Sequence, residues 1–105
     1  MRRMLLSLFV LASACSPHRA EIDPAAVSMM TPAVWPKMYA ALGPESFARA
    51  NAKMRAAAEY AAADRACGRV EYVGVSPSAS TPQRIEWFVD CTPEYRIRLS
   101  EDDLT

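Results

Sequence analysis

The chain has 105 residues, no net formal charge, and 51% hydrophobic and 23% charged side chains, which is the content of one small globular domain. With the leading Arg2 and Arg3 set aside, residues 16–105 carry 10 basic and 12 acidic side chains. Such a balance offers no basic face to neutralise phosphates, so nucleic-acid binding is disfavoured.

The first element is an address. Arg2 and Arg3 precede an uncharged run, Leu5 to Ala14, that ends in Ala12-Ser13-Ala14. A positive start, a short apolar core and small residues before a cut make a secretory signal over residues 1–14. Ten uncharged residues fall well short of the roughly 20 apolar ones needed to span a bilayer. Leu11-Ala12-Ser13-Ala14-Cys15 resembles the lipobox of bacterial lipoproteins, with Ala12 standing where leucine is commonest. The resemblance implies that Cys15 becomes the acylated N-terminus and that the partner at this end is a membrane. Ser16 after the cysteine, by the same resemblance, points to the periplasmic face of an outer membrane. Ala12-Ser13-Ala14 also suits ordinary signal peptidase, which would secrete the chain and leave Cys15 a lone thiol.

Residues 15–30 read as the attachment cysteine followed by a flexible tether, because Pro17, Pro24 and mixed charges break any period. His18, the only histidine, falls in that tether. The domain proper is expected over residues 31–105. Thr31-Pro32 resembles a helix cap followed by a first-turn proline, and Val34, Trp35, Met38, Tyr39 and Leu42 sit near helical spacing. A short helix over about 33–42 follows, ended by Gly43. Pro44 then opens an alanine-rich run that reads as one long helix to Cys67, with Phe47, Ala50, Met54, Ala57, Ala58 and Ala61 on one side. Glu45–Arg49 and Arg55–Glu59 stand at i,i+4 as candidate ion pairs.

After Gly68 the apolar period becomes two. Arg69–Val75 reads as a strand, Arg84–Cys91 as a second and Tyr95–Ser100 as a third. A hairpin centred on Pro93 sets Cys91 opposite Tyr95, Val89 opposite Ile97 and Trp87 opposite Leu99 on a buried face. The opposite face then holds Asp90 across from Arg96, an ion pair, and Phe88 across from Arg98, a cation–π contact. Ser100 with Asp103 has the form of a capping box. The fold class is α+β: one or two helices packed on a three-stranded antiparallel meander.

With Cys15 assigned to lipid, Cys67 and Cys91 are left as a pair in an oxidising compartment, where a disulfide is expected. The bridge closes a loop of about 25 residues, worth roughly 3 kcal/mol by the chain-entropy argument. The helix ending in Cys67, the VEYVGVS strand and the FVDC strand resemble small two-cysteine modules of uncharacterised bacterial proteins, a likeness that carries no activity.

The chemistry-bearing residues are few. A nucleophile inside the domain has no histidine beside it, no zinc ligand set has the required spacing, and Gly43, Gly68 and Gly74 are isolated rather than grouped in a phosphate loop. The chain therefore reads as a non-enzyme with no cofactor and no metal. Phe88, with Val73 and Val75, is expected to point away from the buried face. Either the Trp35 segment covers that apolar surface or it is open to a partner. Trp35, Tyr39 and Phe88 are thus the candidate partner surface of a lipid-anchored accessory module that binds another envelope protein. The alternatives are a purely structural envelope lipoprotein and a hydrolase built on carboxylates such as Glu71 and Glu86.

Overall fold

The computed structural model describes residues 17–105, so residues 1–14, expected to be a signal sequence, and Cys15 lie outside the described residues. The elements in order are β1 (Glu21–Ile22), α1 (Pro36–Leu42), α2 (Pro44–Ala52), α3 (Met54–Ala62), β2 (Arg69–Val75), β3 (Glu86–Thr92) and β4 (Tyr95–Ser100). A 3-10 turn over Glu101–Leu104 follows β4. The sheet has four strands in the order β1-β2-β3-β4, and β1 pairs parallel with β2 while the other pairs are antiparallel. The expected three-stranded meander is present as β2–β4, and the fourth strand makes the sheet mixed.

The fourth strand comes from the segment expected to be a flexible tether. Instead residues 18–30 form a strap along the β2 edge. The His18 ring donates from Nε2 to the Cys67 carbonyl oxygen (3.1 Å). Ala20 donates its N–H to Ala62 O (2.8 Å), Asp23 to Val70 O (2.9 Å), and Val73 donates to Ala26 O (3.1 Å). Asn51 then grips Met30 at two points, accepting the Met30 N–H at 2.8 Å and donating to its carbonyl at 2.9 Å. Ala20, Ala26 and Met30 are buried in the core. Pro24 hides this packing from a periodicity search, because the segment is held by edge pairing and spaced apolar contacts rather than by a regular element.

The helices are shorter than the sequence suggests. Thr31 closes a turn on Val34 and Trp35 through its carbonyl, and α1 begins only at Pro36. The alanine-rich run is interrupted at Lys53 (φ −104°, ψ 7°) and ends at Ala62 rather than Cys67. Gly43, at φ 83°, turns the chain between α1 and α2 in a conformation that other residues rarely adopt. The stripe Phe47, Ala50, Met54, Ala57, Ala58 and Ala61 is buried as its spacing requires. Small alanines let α3 lie close on β2 and β3, over a core in which Trp87, Ile85, Val70 and Val89 are fully buried. The Trp87 indole N–H donates to Ala50 O (3.3 Å).

The β3–β4 register agrees with the expected hairpin at every pair, including Asp90↔Arg96 and Cys91↔Tyr95. Cys67 and Cys91 are disulfide-bonded with Cα atoms 5.2 Å apart, tying the α3–β2 connection to the end of β3. The Ser100–Asp103 capping box forms. The i,i+4 pairs do not: Arg49 reaches across to Glu101 instead.

Candidate functional site

The outer face of the sheet is set by one irregularity. Val70 pairs with Cys91 but Tyr72 pairs with Asp90, so Glu71 is an extra residue in β2, a bulge. Beyond it the alternation changes phase. Val70, Val73 and Val75 all face the core, whereas Tyr72 and Gly74 share the outer face with Phe88 and Asp90. The expectation that Val73 and Val75 join Phe88 outside is corrected here: strict alternation fails at a bulge.

On that face Phe88 lies across Gly74. A Cβ added at Gly74 would collide with Phe88 Cζ, so the ring occupies the space a side chain would take. Tyr72 packs against one side of the ring, with centroids 5.8 Å apart. The Arg96 guanidinium carbon sits 4.2 Å from the Phe88 centroid. Arg96, not Arg98, makes this cation–π contact, because Asp90 accepts two bonds from it (2.7 and 3.0 Å) and aims it back along the strand. The same bonds raise the Arg96 pKa, so the cation is fixed.

The strap leaves the β2 edge after Ala26, and a groove of about 440 Å³ opens there. Met29 and Met30 of the strap form one wall, Trp35 another, and Phe88, Gly74 and Tyr72 the outer-sheet side. Met54 and Val75 continue it towards the core. No charged residue lines it. Its size and apolar walls are those of sites that take an apolar group. The three methionines make those walls adaptable in shape.

Trp35 and Phe88 both line this groove. Trp35 stays 41% exposed and shares the groove with Phe88 instead of closing over it. Tyr39 is not part of the groove. It is half-buried and packs edge-on against Phe47, with centroids 5.1 Å apart and ring planes at 81°. Met29, Met30 and Tyr72 join Trp35 and Phe88 without a counterpart in the sequence reading: the methionines fall in the segment expected to be a tether, and the bulge at Glu71 decides which face Tyr72 takes. The apolar pair Met29-Met30 just before Thr31-Pro32 was the available signal.

Glu71 and Glu86, the carboxylates of the hydrolase alternative, do not share a site. Glu71 lies in the bulge near the Cys91 end of the sheet, while Glu86 pairs with Ser100 at the opposite end of β3. Glu101 is held by Arg49 and Lys53, and Asp103 caps the final turn. Among the described residues no three metal-ligating side chains cluster, and no helix is long and apolar enough to cross a membrane. No protein-family model, curated protein or solved structure matches this chain.

Proposed function

We propose that this protein is a lipid-anchored accessory protein of the cell envelope, held by Cys15 and binding an apolar segment of another envelope protein in the Trp35–Phe88 groove. The groove carries the reading. Met29 is 63% exposed and Trp35 41%, side by side with Tyr72 at 41%, a contiguous apolar surface of the kind that marks an interaction site. The aromatic walls are preset by the Phe88–Gly74–Arg96 stack, so little ordering is needed on binding. The Cys67–Cys91 bridge supports an oxidising compartment, in keeping with the lipobox-like LASAC stretch.

Two measurements test this. Mass spectrometry of the mature chain should find Cys15 as an acylated N-terminus. An unmodified chain starting at Met1 refutes the anchor. A photo-cross-linking residue placed at Met29 in living cells should give one discrete adduct that Trp35→Ser abolishes, while the same residue at Tyr60, exposed on α3, gives none. Equal adducts from both positions, or none from Met29, refute the groove.

A further inference from the structure

Because the strap is packed, the chain between a Cys15 anchor and the folded domain is very short. We infer that the protein sits directly on the bilayer with its Cys67–Cys91 pole against the headgroups, and that the groove is held at the far end of the sheet. This rests on the anchor proposed above and goes beyond it by assigning a membrane-facing surface.

The geometry follows from where the fold begins. His18 is already bonded to the Cys67 carbonyl, and Ala20 to Ala62. Only Ser16 and Pro17 separate His18 from Cys15, and a fully extended chain covers at most about 11 Å over those three steps. The acylated residue is thus confined to the neighbourhood of one pole. That pole is a row of strand ends: Glu21 beside Arg69, Arg69 beside Thr92, and Tyr95 after the turn. From it β2 runs to Val75, a rise of about 20 Å at ordinary strand spacing. The strap follows the same course, from His18 at the pole past Ala26 beside Val73 to Met30 in the groove wall. A partner can therefore reach the groove while the pole is occupied by lipid.

The charges at the pole nearly balance, with Arg19, Arg65 and Arg69 against Glu21, Asp23, Asp64 and Glu94. Arg69 is itself paired to both Glu21 and Asp23. The seat is then set by the length of the link and not by attraction to anionic lipid. Tyr95, 38% exposed at this end, is a side chain suited to a headgroup boundary.

Hydroxyl-radical footprinting of the lipidated full-length mature protein in phosphatidylethanolamine–phosphatidylglycerol vesicles tests this with native side chains. The reference is the Cys15→Ser chain with the same vesicles. Anchoring should lower Tyr95 oxidation severalfold and leave Met29 and Trp35 near the reference, and replacing phosphatidylglycerol by phosphatidylcholine should change nothing. Inserting a Gly/Ser segment after Ser16 should restore Tyr95. A lipidated chain that floats with vesicles yet shows Tyr95 unprotected, or Met29 protected equally, overturns the seat alone. A chain that does not float overturns the anchor and the seat together.

Discussion

Glu101 fastens the helical layer to the sheet, and Glu101→Gln measures how strongly. Its carboxylate accepts from Arg49 Nε at 2.7 Å and Nη2 at 3.2 Å, from Lys53 Nζ at 3.4 Å, and from the Ile85 N–H at 2.9 Å. The Arg49 bonds lead in holding its pKa down from 4.5 to about 2; burial opposes them, and the Ile85 and Lys53 bonds assist. The unfolded chain takes up this proton at the ordinary value and the folded chain only near 2. The stabilisation is therefore complete above about pH 5 and is lost as the pH falls from there towards 2. A depression of this size corresponds to about 3 kcal/mol at most. Arg49 and Lys53 are 35% and 38% exposed, so water screens part of the attraction. After that discount the expectation is about 2 kcal/mol. Gln retains a carbonyl oxygen for the Ile85 N–H, so the substitution removes mainly the charge. Urea denaturation across pH should show the variant weaker by that amount at pH 7, with the gap closing towards pH 2. A gap that stays constant over the whole range refutes the assignment.

Gly74→Ala should cost about 1–3 kcal/mol by crowding Phe88. Combining it with Phe88→Ala should recover part of that loss in a double-mutant cycle, and strictly additive losses would show that the ring does not need the space. Asn51→Leu should weaken the fold by about 1–3 kcal/mol, because both Met30 backbone groups lose their partner. Amide exchange should rise at Met30 before it rises in β3, and unchanged protection there would mean that the strap is held elsewhere. Replacing Cys67 and Cys91 together by Ala should lower the urea-derived stability by roughly 3 kcal/mol. A reducing agent should weaken the wild type similarly and leave the double variant unmoved. If the wild type is equally stable with and without reductant, the bridge does not staple the domain.

The elements best read from the sequence are those whose signal is local. Arg69–Val75 and Tyr95–Ser100 have the expected bounds, and the hairpin register follows from alternation around Pro93. Within the site, Trp35 and Phe88 were legible as large apolar residues lacking an assigned place in the core. Tyr39 was not distinguishable from them, because its partner Phe47 lies on another helix. The cation–π partner was misassigned by one pleat: register places Arg98 opposite Phe88, but Asp90 draws Arg96 onto the ring.

By itself the sequence determines the alternation that buries Trp87, Val89 and Cys91, the helical stripe from Phe47 to Ala61, and the pairing of Cys67 with Cys91. Each follows from the period of its own segment or from a count of residues. Only the tertiary structure decides that residues 18–30 strap the β2 edge, that Glu71 bulges, and that Arg49 abandons Glu45 for Glu101. These choices depend on unpaired backbone groups and charges supplied by elements far away in the chain. The groove is the product of two of them, since the strap builds one wall and the bulge turns Tyr72 and Gly74 towards it.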